Sequence, residues 1–230
     1  MSRLRKAYEA RFELLLRRVG ARRVDQGRRW LVQRGQSLAR ELNLPEEEAV
    51  KRLHDRLLCR RRFRHPLNSE RLLFFCDAGL GGLARWLRAA GYDALWEAGI
   101  DDGRLVSKAA ELCAVLVTTD SMLMERRLLR DAHVLGLWLP PSLDLRQQLT
   151  AVLREFDLSI RDPRCMHCGG ELNRRDKESL KTRIPPRTYR WLNEYFVCNR
   201  CGKIFWHGTH WERIQNELRE AERNCREPPV

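Results

Sequence analysis

Two cysteine pairs, Cys165-x2-Cys168 and Cys198-x2-Cys201, constrain this chain more than any other feature. Each spacing lets one tight turn present two thiolates to a single ion, and each pair is followed by a glycine, Gly169 or Gly202. Four sulfur ligands favour zinc in tetrahedral geometry, and four protein ligands leave no position open for a substrate. The pattern predicts one structural Zn2+ per chain, held by Cys165, Cys168, Cys198 and Cys201. A ribbon this short buries little core of its own, so the ion acts as its crosslink. Any chemistry must come from other residues.

The charge distribution indicates what such chemistry acts on. The 230 residues carry 44 Lys and Arg against 31 Asp and Glu, and the excess is uneven. Residues 1–70 hold 19 basic and 9 acidic side chains, residues 71–163 hold 11 and 13, and residues 164–230 hold 14 and 9. Two basic flanks around a slightly acidic middle suit a polyanion gripped at both ends and processed between them. Solvated faces on arginine-rich helices give the same balance. The candidate grips are the string Arg60, Arg61, Arg62 and Arg64, and the ribbon cations Lys177, Lys181, Arg183 and Arg187.

The remaining cysteines, Cys59, Cys76, Cys113 and Cys225, show no disulfide-framework spacing. No apolar stretch approaches the roughly 20 residues that span a bilayer, and no signal-peptide core follows the basic start. A reducing cytoplasm is the expected location, with no membrane association.

Periodicity divides the chain. Apolar residues at helical spacing over 3–19, a second set from Trp30 to Leu42, and a third after Pro45-Glu46-Glu47-Glu48 predict three helices in a basic region, residues 1–68. These form either a small domain or an arm packed on the next one. From Leu72 short apolar runs alternate with helical patterns. Strands are expected at 72–76, 93–96, 114–118 and 134–139, with helices after Gly82 and over 103–112, 121–130 and 144–156. That alternation predicts a three-layer α/β domain with a mostly parallel sheet, residues 71–160. The zinc ribbon occupies 161–214, including a hairpin from Tyr195–Cys198 to Lys203–Trp206, and a C-terminal helix and tail close the chain over 215–230.

In a parallel sheet, ligands bind beyond the carboxyl ends of the strands. Asp77 and Asp120 each fall just after an apolar strand, and Asp101-Asp102 lies in the connection before a helix. Three carboxyl groups at one edge make a hard-oxygen site suited to Mg2+ or Mn2+. A cation also relieves their mutual repulsion. A single aspartate of this kind is more often an ordinary turn or cap residue, so only the set points to a cation. The Gly79–Gly82 stretch lacks the order and the lysine of a phosphate-binding loop, which excludes an ATPase of that class. Arg85 and Arg88, on the helix that follows, are placed to orient a phosphate or to pair with Asp93.

These residues carry a resemblance. Phe75-Cys76-Asp77 with Leu80 and the run Leu83–Asp93, the motif Leu116-Val117-Thr118-Thr119-Asp120, and the ribbon segments around both cysteine pairs and Trp206–Trp211 resemble the C-terminal RNase domain family of the Mut-seven exonuclease type. The resemblance spans about residues 72–214 and implies a PIN-like nuclease fold joined to a four-cysteine zinc ribbon. It implies catalytic, Mg2+- or Mn2+-binding roles for Asp77, Asp102 and Asp120; Asp101, Arg85, Thr118 and Arg88 are the candidates for supporting roles. The sequence departs from the family pattern at Ala78-Gly79 and at Gly103. The expected function is hydrolysis of RNA phosphodiester bonds. The alternative is a module that binds RNA or a ribonucleoprotein with weak or no catalysis.

Overall fold

The computed structural model describes residues 3–18, 21–58, 72–130 and 133–226. Its centre is a four-stranded, wholly parallel sheet of β1 (Leu73–Cys76), β2 (Asp93–Trp96), β3 (Val115–Thr118) and β4 (Gly136–Trp138) in the order β2-β1-β3-β4. Successive residues of a strand face opposite sides of the sheet, and the two layers of helix follow from that alternation. Phe74, Cys76, Val115 and Val117 meet α4 (Gly81–Ala89) and α7 (Leu145–Phe156) on one face. Phe75 and Leu116 meet α5 (Asp102–Glu111) and α6 (Arg127–Arg130) on the other. The α/β sandwich is thus three layers thick, as its strand–helix alternation predicts.

The helix expected over 121–130 is interrupted. A 3-10 turn covers Leu123–Glu125, and only Arg127–Arg130 is α-helical. Leu123 packs under α5, whereas its neighbour Met124 is buried against the N-terminal helices. One chain segment feeds two separate cores here, and tertiary packing overrides the local helical pattern.

Those N-terminal helices, α1 (Arg3–Arg18), α2 (Val24–Leu42) and α3 (Glu46–Leu58), pack on one another and on the sheet domain together. Tyr8, Phe12 and Leu15 of α1 share a core with Leu31, Val32 and Val50, and also with Trp138 of β4. The Arg11 guanidinium reinforces the junction, donating to the Gly136 carbonyl at 2.9 Å and to Glu155 of α7 at 3.1 Å. The region is therefore a three-helix layer fastened to the β4 edge.

The ribbon is a three-stranded antiparallel sheet of β5 (Leu172–Arg175), β6 (Tyr195–Cys198) and β7 (Ile204–Trp206), with a short α8 (Pro186–Trp191) before β6. It is inserted between α7 and α9 (Thr209–Arg226). The boundary expected at 214/215 falls inside the continuous α9, whose Ile214, Leu218 and Ala221 join the core of the sheet domain against α7. The stripe they form is readable in sequence, but its partner 60 residues upstream is not. No described helix is long and apolar enough to cross a membrane.

Candidate active site and metal centre

The strand order places a topological switch point between β1 and β3. The chain leaves β1 toward β2 on one side, returns across to β3, and then proceeds to β4 on the other side. Connections that diverge from adjacent strands open a crevice at their carboxyl ends. Asp77 follows β1 and Asp120 lies two residues beyond β3, so both border that crevice.

Asp77 caps the 3-10 turn Ala78–Leu80, one of its carboxylate oxygens accepting the Ala78 N–H. Its backbone N–H donates to the Val117 carbonyl at 2.9 Å, which ties the residue to β3. Thr118, fully buried at the end of β3, donates its hydroxyl to Oδ2 of Asp77 at 2.6 Å. The same hydroxyl oxygen accepts the backbone N–H of Asp120 at 2.9 Å. Asp120 in turn accepts the Met122 N–H at Oδ1, 2.7 Å away. Half of its carboxylate is thereby spent on the turn, and Oδ2 has no partner among the described residues.

The acids before α5 divide their labour. Asp101 is the N-cap, accepting the Arg104 N–H at 3.0 Å, and that hydrogen bond holds its carboxyl below the ordinary range. Asp102, in the first helical turn, lies 3.4 Å from the Arg126 guanidinium, and both groups are nearly half exposed. Among the described residues Asp77, Asp102 and Asp120 do not close into one mutual cluster in the way the four cysteines do. By chain position they follow the carboxyl ends of β1, β2 and β3. Their oxygens suit a hard cation that keeps part of its water shell.

Two tryptophans that sequence reasoning did not single out shape this edge. Trp96 closes β2 opposite Cys76 and donates Nε1–H to the Ala78 carbonyl at 2.8 Å. Its ring lies against Gly81, where an added Cβ would stand 2.7 Å from the indole, yet the residue remains 41% exposed. Trp138 donates to the Thr119 carbonyl at 3.1 Å and braces the Asp120 turn from the N-terminal side.

The two arginines of α4 separate in role. Arg85 is exposed and has no partner among the described residues. Arg88 makes no ion pair or hydrogen bond to Asp93, although the Asp93 charge acts on it. It is buried, donating Nε–H to the Ala94 carbonyl at 2.7 Å and Nη1–H to the carbonyls of Met166 and His167 at 3.1 and 2.8 Å. The ion pair to Asp93 comes instead from Arg164, at 3.7 Å. Arg88 thus rivets the first cysteine knuckle to the sheet, a role invisible when its partners lie 78 residues away.

Cys165, Cys168, Cys198 and Cys201 bring their four sulfurs within 4.8 Å of one another. The Cys165–Cys201 and Cys168–Cys198 separations are 3.6 and 3.4 Å. A tetrahedron built on zinc–sulfur bonds of about 2.3 Å has edges of about 3.8 Å, so the cluster fits one zinc ion with little adjustment. Gly169 and Gly202 follow the pairs at φ +77° and +68°, a left-handed conformation that closes each knuckle and suits glycine. Burial pushes the Cys165 thiol up to about 12. Burial opposes ionisation of Cys198 as well, but N–H groups of Cys201 and Arg200 aimed at its sulfur bring it down to about 6.

The remaining ribbon cations are placed unevenly. Lys177 and Lys181 gather over the Tyr189 ring at 4.7 and 6.0 Å, and Lys177 also donates to Asn193. Arg183 donates to the Gly202 carbonyl of the second knuckle at 2.8 Å, while Arg187 stays exposed and unpaired among the described residues. Arg60, Arg61, Arg62 and Arg64 lie outside the described residues.

The family model described as the Mut7-C RNAse domain matches residues 72–218, and the chain belongs to that family. The match takes in the sheet domain, the ribbon and the first half of α9, and it leaves α1–α3 outside. No curated protein and no solved structure shows a significant match to the chain.

Proposed function

We propose that this member of the Mut7-C RNAse domain family is a divalent-metal-dependent ribonuclease of PIN-like fold, with Asp77, Asp102 and Asp120 as its acidic set. The observation that carries the reading is the Thr118 hydroxyl, which joins the Asp77 carboxylate to the Asp120 turn across the switch-point crevice. A hydroxyl that accepts the N–H two residues on is common in turns; here the same hydroxyl also donates to the carboxylate at the end of the neighbouring strand, so one group orients both acids. Mg2+ or Mn2+ would be held by Asp77 and Asp120, with Asp102 completing the shell. When bound, the ion supplies an acidified water and charge neutralisation at the attacked phosphate.

The protein's own groups do the rest. Thr118 fixes the orientation of Asp77 by donating to Oδ2, which leaves each Asp77 oxygen a lone pair beyond its hydrogen bond. Asp120 offers Oδ2. Arg85, one turn into α4 and unpaired among the described residues, is a cation available to a phosphate. Trp96 presents its free face to a base next to Asp77. The ribbon carries one structural zinc per chain and has no part in bond cleavage. RNA, free or within a ribonucleoprotein, is the substrate class, and the cytoplasm is the compartment.

A second reading, an RNA- or ribonucleoprotein-binding module with little catalysis, is favoured by one feature. Asp102 is already paired with Arg126, and the three acids are not drawn together. Labelled single-stranded RNA incubated with Mg2+ or Mn2+ separates the two. Cleavage by the wild type that is lost in Asp77→Asn supports hydrolysis. Equal rates in both proteins remove these carboxylates from the reaction, and binding without cleavage in either favours the second reading.

A further inference from the structure

Among the described residues Trp191, at the end of α8, is the most exposed of the large apolar side chains, at 74%. The same helix gives Tyr189 to the ribbon core, and Trp191 takes no part in it. Arg187 and Arg190 precede Trp191 by four positions and one. Residues three and four apart are neighbours on a helix, so Arg187 lies beside both Arg190 and Trp191. Both arginines are exposed and have no partner among the described residues. Residues 179–193 contain four cations, Lys181, Arg183, Arg187 and Arg190, and no acid. The acids that bracket this stretch are committed: Glu178 accepts the Tyr189 hydroxyl, and Glu194 pairs with Arg174 at 2.9 Å. The helix is also held in place. Pro186 begins it, and the buried Tyr195 hydroxyl donates to the carbonyls of Thr188 and Leu192, 3.0 and 3.1 Å away. A face ordered in advance loses less freedom when it binds.

We propose that this face of α8 is a docking platform for single-stranded RNA, with Trp191 stacking on a base and Arg187 and Arg190 holding the phosphates beside it. The platform belongs to the ribbon rather than to the acidic edge, and it rests on the ribonuclease reading above. The mixture of groups selects the occupant. A protein interface gathers apolar side chains at its centre and is depleted of charge there, whereas Trp191 stands beside two unpaired guanidinium groups. A helix that lies on a membrane buries several apolar side chains from one face, and this face carries a single large one. Single-stranded RNA alternates a flat base with a phosphate, and its binding surfaces combine aromatic rings with cations that track the backbone. Duplex RNA hides its base faces within the stack and leaves Trp191 without a partner.

The test uses the full-length, zinc-loaded Asp77→Asn protein, so that RNA stays intact, with labelled single-stranded oligoribonucleotides titrated at several salt concentrations. Within this background Trp191→Ala should weaken binding by about tenfold. The same substitution should make no difference to an abasic oligomer, which keeps the phosphates and lacks the bases. Arg187→Gln together with Arg190→Gln removes two phosphate contacts and should lower the slope of log affinity against log salt by about 1.4. Zinc content and thermal melting establish that each variant is folded, and the arginine pair decides if Trp191→Ala is not. Vesicles of phosphatidylserine and phosphatidylcholine serve as the competing anionic surface.

Unchanged affinity and slope in both variants, while RNA binds and the wild type cleaves it, overturn the platform and leave the ribonuclease reading intact. A loss in Trp191→Ala that persists on abasic RNA overturns stacking in the same way. Vesicle binding that these substitutions abolish, with RNA affinity unchanged, overturns the platform in favour of a membrane surface. Weakened RNA binding by both variants, with no metal-dependent cleavage by the wild type, sustains the platform and overturns hydrolysis. Absence of RNA binding overturns both.

Discussion

The Thr118 hydroxyl lies 2.6 Å from Oδ2 of Asp77 and donates to it, and its oxygen also accepts the Asp120 N–H at 2.9 Å. One buried hydroxyl therefore sets the geometry of two acids from two strands. Thr118→Val preserves shape and removes both hydrogen bonds. Loss of a group that orients a metal-holding carboxylate typically costs 10–100-fold in metal affinity or activity. Metal-dependent RNA cleavage by Thr118→Val should fall by about that factor, with a stability loss of only about 1–2 kcal/mol. Titration of Mn2+ against cleavage rate checks it. An unchanged metal dependence would mean that Asp77 is not a metal ligand.

Trp96 owes its position to Gly81. An alanine there would bring a Cβ to 2.7 Å from the indole, so the ring must swing off the helix and lose its bond to the Ala78 carbonyl. The stiffer residue at the start of α4 and the lost indole hydrogen bond are opposing effects of similar size, so Gly81→Ala should fold with a stability within about 1 kcal/mol of the wild type. If Trp96 stacks a base beside Asp77, KM for single-stranded RNA rises about fivefold or more while kcat changes little. Steady-state kinetics separates the two parameters, and a KM that stays put would remove Trp96 from substrate binding.

Much of this arrangement is legible in the residues themselves. The cysteine spacing picks out the four thiols that cluster, because both knuckles are local turns. Asp77 and Asp120 stand out because each ends a short apolar strand, and parallel sheets put ligands at that edge. What escapes the sequence is long-range. Arg88 reads as a cation placed for a phosphate or for Asp93, and nothing local reveals that the knuckle carbonyls of Met166 and His167 fold onto it. Gly81 and Trp96 are 15 positions apart with no shared motif. The broken helix at 123–130 answers to two cores at once, a demand that periodicity along one segment does not encode.

Arg88 couples the ribbon to the sheet, and that coupling is measurable. Arg88→Met keeps the aliphatic stem but leaves the carbonyls of Ala94, Met166 and His167 without their donor. The expected cost is about 3 kcal/mol in chemical denaturation. Zinc should also leave faster, because the first knuckle loses its brace. Transfer of the ion to a chelator is expected to accelerate roughly tenfold. Changing Cys168 and Cys201 together to serine should abolish zinc binding and melt the ribbon. Arg88→Met with wild-type stability and zinc exchange would reduce its three bonds to incidental contacts.

The N-terminal helices hold the last prediction. Deleting residues 1–70 is a poor probe of electrostatic grip, because it uncovers Trp138 and Met124 and takes away Arg11 from Gly136 and Glu155. The deletion should give an aggregating protein whatever the role of the charge. Many of the basic residues there are also committed to neighbours, as Arg5 is to Glu9 and Glu46, Arg28 to Glu9 and Lys51 to Asp55. Arg22, Arg23 and Arg29 are exposed and unpaired among the described residues, so they are free to meet phosphate. Replacing all three by glutamine leaves the helical core untouched. Each phosphate contact on a single strand contributes about 0.7 to the slope of log affinity against log salt, so the triple variant should lower that slope by about 2. A slope and affinity equal to the wild type would show that this face of the helical layer does not touch RNA.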